Sequence, residues 1–464
     1  MDSTGERRDI AALDSLSRID LLEIVTFLAR EYYSLTRVYR SGVARANRAD
    51  RGNLDLLAVR ERWEIPGSAV QLTFDADVEA FRAEFVAFLD THLPSEAEAF
   101  ERPRSSSHVP EWARRWQRLL FDNGWLLPGN PPEFGGRNAT LLQQYVYLEE
   151  LGRRRIYHSF NPQGVGIIAA SLLTFGTPAQ KQRWAVPILR AEITASLGMS
   201  EPGAGSDLAS LKTRAVRYSD SQGDFFVVNG QKVWTSGAHD ADVLLTFVRT
   251  DPDMPKHKGI SVLMIPTGTP GVVRRPFASM CDSDEVDFNE VFFTDARVPA
   301  ENLVGELNGG WQVATGSLGH ERVMLWMGYV DLLHQLTVDF SPSGSLERDR
   351  YATLVMDARA LRLLGSAALA RAARGEEDVP AQSVLKLLGS EALQRASEDA
   401  LNAAGADGLV YRAVTAPFAP LNLDSHYRSW FDRYARTFAA TIAGGTSEIQ
   451  RNIIAERILG LPRN

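Results

Sequence analysis

One cysteine, Cys281, occurs among the 464 residues. A lone thiol excludes an internal disulfide and any thiolate-rich metal centre, and it suits a reducing compartment, so the expected location is cytoplasmic. No apolar run approaches the roughly 20 residues needed to cross a bilayer. The opening "MDSTGERRDI" is charged throughout and lacks the apolar core of a secretory signal. Neither a membrane span nor a leader is expected. Basic residues are also in deficit, with 50 Lys+Arg against 58 Asp+Glu and a formal charge of -8. That balance repels phosphate backbones, and without a finger spacing or a lysine-rich arm it argues against nucleic acid as a partner. "HERVM" (320–324) lacks the second histidine of a zinc motif, so no metal is expected.

What is present is an ordinary soluble composition. A hydrophobic share of 44% is enough to bury a core, and at about 150 residues per domain the length allows roughly three domains. Residues 1–70 read as an appendage carrying one amphipathic helix, with Leu21, Ile24, Val25 and Leu28 on a single face. The spacing of Val78, Phe81, Phe85, Phe88 and Leu89 predicts a helix ended by Pro94. Helical patterns continue through "ATLLQQYVYLEELGRR" and "TPAQKQRWAVPILRAE", which makes 71–192 an α-domain. Over 193–305 the period shifts to two. "FFVVNGQKVWTS" places Asn229-Gly230 between β-rich runs as a tight hairpin, and "VLLTFVRT", "ISVLMIP", "GVVRRP" and "DFNEVFFTDARVP" follow as short strands. An antiparallel sheet or small barrel is expected there. From 306 to 464 the helical period returns. The fold class is therefore α+β multidomain: a helical N-terminal domain, a central antiparallel β-domain and a C-terminal helical bundle.

Four stretches bear on chemistry. "GMSEPGAGSD" (198–207) combines glycines that permit close backbone approach with the hydroxyls of Ser200 and Ser206; read alone it is a polar turn, without the third glycine of a dinucleotide fingerprint. "NGQKVWTSG" (229–237) ends a strand on Trp234, a ring that either stacks on a planar cofactor or fills the core. "GWQVATGSLGHER" (310–322) carries Glu321 inside a helix, where pairing with Arg322 in solvent is the plain alternative to catalysis. "TIAGGTSEIQRNIIAERILGLP" (441–462) has a Gly444-Gly445 turn, a cap at Thr446 or Ser447 and a Ser447/Gln450 capping box. It then forms a helix burying Ile449, Ile453 and Ile454, with its N–H groups aimed at whatever lies in front.

In their order and spacing, "SEPGAGSD", "NGQKVWTSG", "HKGISVLMIP", "GWQVATGSLGHER" and "GGTSEIQRNIIAERILG" resemble the acyl-CoA dehydrogenase family from about residue 74 to the end. The resemblance implies a C-terminal four-helix bundle, FAD at the domain junction, a dimer or tetramer, and an electron-transfer flavoprotein as acceptor. It assigns Leu197, Met199, Ser200, Gly205, Ser206, Trp234, Thr235, Ser236, Thr446 and Glu448 to FAD, and Ser206, Arg322 and Gly444 to the acyl thioester. Many relatives carry the catalytic glutamate just before "GT", where this chain has Gly444. In members resembling isovaleryl-CoA and long-chain dehydrogenases the base lies on a helix of the last domain, the position of Glu321. Expected are α,β-dehydrogenation of a branched, long or bulky acyl-CoA, and a likeness to actinobacterial heteromeric subunits, because "NAAGADGL" departs from the usual "QxxGGxG". The alternatives are a half-site subunit that completes a heteromer and a flavin monooxygenase of the same fold.

Overall fold

The computed structural model describes residues 74–462, apart from 96, 100, 102, 155, 281–285, 323, 377, 378 and 411–428. The chain divides into two units, Met1–Thr73 and Phe74–Asn464. The helix expected within 1–70 and Cys281 lie outside the described residues, as do the side chains of 317–322.

Helix α1 (Ala76–His92) buries Val78, Phe81, Phe85 and Leu89, the stripe that its spacing predicts. Helices α2 (Glu111–Asp122) and α3 (Leu141–Arg154) pack with it around Trp116 and Trp125, which are nearly fully buried. Two irregular helices follow, α4 over 164–175 and α5 over 178–189, each containing a π-helical stretch: Gly164–Ala169 in the first, Lys181–Ala185 in the second. Thr177 caps α5 with a reciprocal capping box to Gln180.

Strands β1 (Ala195–Gly198), β2 (Arg214–Asp220), β3 (Gly223–Lys232), β4 (Val243–Arg249), β5 (Ile260–Pro266), β6 (Val272–Phe277), β7 (Phe288–Pro299) and β8 (Leu303–Val304) form one sheet. Its order is β6-β7-β3-β2-β4-β5-β8, with β1 beside β4. Pairing is antiparallel except for β1 and β2 against β4. Strand β4 is buried throughout because alternate side chains face two cores. Val243, Leu245 and Phe247 join the core shared with the helices, whereas Leu244 and Val248 join the sheet's own cluster with Phe226, Leu263 and Phe293.

Asn229-Gly230 is not the hairpin turn. The β2–β3 turn is Ser221-Gln222, and Gly230 sits within β3 at a bulge against β7, where a Cβ would come 2.6 Å from the Thr213 Cα. The dipeptide signals a backbone that must depart from regular strand geometry; here the departure serves close approach rather than chain reversal.

Helix α6 (Gly310–Arg322) leads into α7 (Leu325–Asp339), α8 (Ser345–Ala373), α9 (Val379–Ala404), α10 (Trp430–Ile442) and α11 (Ser447–Arg457). Helix α9 is the hub, packed on α7, α8, α10 and α11. Arg82 of α1 ties α3 by ion pairs of 2.9 Å to Glu149 and 2.8 Å to Glu150, and Arg362 of α8 reaches Glu149 at 2.7 Å. Among the described residues no helix is long and apolar enough to cross a membrane.

Candidate active site

Two of the sequence motifs meet where β1 and β3 end. The amide of Val233 donates to the Ser200 carbonyl at 2.9 Å, and the Ser196 hydroxyl donates to the Ser236 carbonyl at 2.6 Å. The structure thus brings Leu197, Met199 and Ser200 together with Trp234, Thr235 and Ser236.

Trp234 is 59% exposed, so it is not the core tryptophan that the residue taken alone allows. Its ring is held edge-on by Phe277 and Phe288, at centroid distances of 5.2 and 5.4 Å. Its backbone has φ of +61°, a left-handed conformation that costs a non-glycine residue about 1–2 kcal/mol. Next to it, Thr235 is fully buried; its amide donates to the Asn289 carbonyl at 3.2 Å and its carbonyl accepts from the Asn289 side-chain amide at 3.0 Å, yet among the described residues its hydroxyl has no partner. The buried Thr246 hydroxyl, on β4 opposite Gly198, likewise has no partner among the described residues. An exposed aromatic face and a strained backbone at Trp234, with an unmet hydroxyl at the adjacent Thr235, fit a planar polar ligand such as the isoalloxazine of FAD. Gly205 and Ser206 lie on the exposed side of the turn, and a Cβ at Gly203 or Gly205 would meet nothing within 4 Å.

Glu201 anchors that turn. It exchanges backbone hydrogen bonds with Ala204, and its carboxylate accepts from the amides of Lys212 at 2.7 Å and Thr213 at 2.8 Å and from Lys232 Nζ at 2.8 Å. Burial acts to raise its pKa, but Lys232 and these donors hold it below the usual carboxylate value. Burial pulls Lys232 down in turn, against the attraction of Glu201.

The N-terminal domain braces the same segment through residues that sequence reasoning passed over. Asn161 bonds Ala195 in both directions, at 2.9 and 3.0 Å, and donates to the Ser106 carbonyl at 2.8 Å. The Ser107 and Ser196 hydroxyls lie 3.0 Å apart, and a Cβ on Gly237 (φ +67°) would come 2.5 Å from the Ser107 hydroxyl. Three serines in succession, 105–107, were the available signal, but "SSS" reads as a loop until its partners are known.

A second group forms at the α10–α11 turn. Gly444 and Gly445 have φ of +68° and +95°, and Thr446 caps α11 by accepting from the Ile449 amide at 3.3 Å. The Ser447/Gln450 capping box is not formed: Gln450 instead donates to the carbonyls of Gly444 and Gly445, at 3.2 and 3.3 Å, which the left-handed turn directs toward it. Lys386 of α9 donates to the Gly445 carbonyl at 2.7 Å. Ile449, Ile453 and Ile454 are half-buried, and the buried positions are Ser447, whose hydroxyl has no partner among the described residues, and Gln450. Glu448 is exposed, and its own amide and the Thr446 hydroxyl hold its carboxyl below the usual range. A groove of about 520 Å³ opens here, lined by Glu391, Arg395, Phe438, Ile442, Thr446 and Glu448.

Among the described residues no hydrogen bond joins the two groups. Glu321 and Arg322 fall in the last turn of α6, with side chains outside the described residues. No group of three or more His, Cys, Asp or Glu placed to hold a metal occurs among the described residues.

Comparison with known proteins agrees with this geometry. Three family models match in succession: acyl-CoA dehydrogenase N-terminal domain over 75–192, middle domain over 196–296 and C-terminal domain over 308–459. The chain is 36% identical over 402 residues to acyl-CoA dehydrogenase IpdE1 of Mycobacterium tuberculosis, covering 83% of this chain and 98% of that one. It superimposes on the Tcur3481-Tcur3483 steroid ACAD with TM-score 0.67 and 29% identity, over 85% of this chain and all of that one. The ChsE4-ChsE5 complex from M. tuberculosis gives TM-score 0.66 and 28% identity over the same shares. The chain therefore belongs to the acyl-CoA dehydrogenase family of FAD-dependent oxidoreductases.

Proposed function

We propose that this protein oxidises the Cα–Cβ bond of a bulky or branched acyl-CoA to the 2-enoyl thioester, with Glu321 as the base. The observation that carries this reading is Gly444. The turn that bears the carboxylate in many relatives has here no side chain and a left-handed backbone, so the base comes from elsewhere, and Glu321 on α6 is the residue that the resemblance brings to that task. A carboxylate in that role needs a pKa raised by a dry site, so that it takes a carbon-bound proton near neutral pH.

Bound FAD supplies the acceptor for the hydride equivalent that leaves Cβ. Glu321 takes the Cα proton as that bond breaks. The Gly444 amide, which a glycine still provides, donates to the thioester carbonyl and stabilises the charge that builds there. Ser200, Trp234, Thr235 and Ser236 would hold the ring, Ser206 would meet the diphosphate or the CoA chain, Thr446 would approach FAD from the start of α11, and Arg322 would orient base or ligand. The reduced protein passes its electrons to an electron-transfer flavoprotein. Bulk in the acyl group is supported by the steroid ACAD likeness.

A second reading, a subunit that completes a heteromer, is favoured by exposed apolar residues at the end of α10 and just after α11. Ile442, Leu459 and Leu461 are 62, 59 and 54% exposed, and two of the similar structures are named as pairs of chains. Purifying the chain alone and with a co-expressed partner separates the readings, since a completing subunit is colourless alone. In the yellow protein, Glu321→Gln keeps FAD but is not bleached by acyl-CoA without oxygen; bleaching at the original rate removes Glu321 as base.

A further inference from the structure

Lys232, the last residue of β3, is fully buried, although neither its place in a strand nor the fold calls for a charge there. Its ammonium donates to the Met199 carbonyl at 3.1 Å and to Glu201 at 2.8 Å. A buried ion pair seldom stabilises more than two apolar side chains of equal volume, because desolvation cancels the attraction. Stability therefore does not account for the pair.

Peptide geometry does. In a trans peptide the C=O and the following N–H point in opposite directions. With the Met199 carbonyl drawn onto Lys232, the Ser200 N–H faces away from the ammonium, at a half-exposed residue beside Trp234 and Thr235 in the folded turn. The next carbonyl, that of Ser200, is fixed by Val233. The next amide, that of Glu201, is used by Ala204. Among the described residues the Ser200 N–H has no partner. A positive charge behind the peptide polarises it, which makes that N–H a stronger donor to whatever faces it.

We propose that Lys232, with Glu201 as counter-ion, is a positioning residue that aims and polarises the Ser200 N–H toward the polar edge of FAD, favouring the reduced, more negative ring over the oxidised one. This rests on the FAD-dependent chemistry of the family and not on Glu321 as base. The arrangement is set before reduction begins, so no reorganisation is needed when charge develops.

The test compares Lys232→Met with the double variant Lys232→Met/Glu201→Gln, whose amide oxygen still accepts from the Thr213 amide. Three quantities are read: the Tm of the apoprotein, FAD affinity by titration into apoprotein, and the flavin potential by chemical reduction without substrate. The single variant leaves Glu201 buried and unpaired and lowers Tm. In the double variant Tm recovers, while the preference for reduced over oxidised FAD stays lowered by about tenfold, less than the loss for deleting a direct donor because the N–H itself remains. A double variant whose flavin potential stays at the wild-type value, whatever its Tm, makes the pair merely structural and overturns the proposal. Should the double variant not fold, Lys232→Gln keeps a neutral donor, and an unchanged potential there is equally fatal. Chemical reduction bypasses the substrate, so an error in the choice of base leaves these readouts unmoved.

Discussion

At the scale of single residues, Trp234 has a cost that the apoprotein does not recover. Its backbone is left-handed and its ring largely in solvent, flanked by Phe277 and Phe288. Trp234→Ala is expected to change apoprotein stability by no more than about 0.5 kcal/mol, as surface changes do. FAD affinity should fall by about tenfold, the worth of one good aromatic contact. Fluorescence titration of FAD into both proteins checks this, and a large loss of Tm with unchanged affinity would make Trp234 a packing residue. "NGQKVWTSG" by itself left the ring between core and cofactor, and only the family resemblance turned it toward a cofactor. Lys232, in the same quotation, was not legible: a lysine in a strand reads as solvent-facing until Glu201, 31 positions earlier, is found beside it.

Among the elements, α8 shows how much one side chain settles at a helix start. Glu347 accepts from the Ser343 hydroxyl at 2.7 Å, the Ser343 amide at 2.6 Å and the Gly344 amide at 3.0 Å. These bonds, the hydroxyl foremost, pull its pKa down to about 2 from 4.5. With a folded pKa below the unfolded one, the contribution is complete above about pH 4.5 and disappears as pH falls toward 2. Glu347→Gln is therefore expected to have a lower Tm at pH 7 and the gap should close at pH 2; a constant gap would remove ionisation as its source. Period and stripe made most elements legible, α1 and β4 among them. Asn229-Gly230 misled because a bulge and a turn ask for the same residues. The irregularity of α4 and α5 has no counterpart in the periodicity, since a π-turn shifts the stripe by one residue without erasing it.

Over the whole molecule, the helical domains meet across a seam of charge. Asp331 of α7 lies against α3 so closely that a Cβ on Gly152 would run into its carboxylate. Burial raises Asp331 to about 7, with Glu149 adding to the rise and Arg362 opposing it. The folded protein thus holds a proton that the unfolded chain releases near pH 3.8, so stability falls as pH rises from about 4 to about 7. Asp331→Asn should flatten that fall in a Tm series from pH 5 to 8; parallel curves would mean that Asp331 is ionised throughout. The order α, β, α was legible because period changes at each junction, but the contacts across junctions were not, since they join residues dozens to hundreds of positions apart. Those contacts also limit how the protein can be recombined. Family models part the chain between 192 and 196, yet β1 begins at Ala195, runs parallel to β4 and is clasped by Asn161 and Ser107. A chimera crossed over at that covalent border would inherit a strand from one parent and its clasp from the other. Working hybrids should need loop 104–108 and residue 161 to travel with the sheet, so the unit of exchange is a hydrogen-bonded surface and not a contiguous stretch of gene.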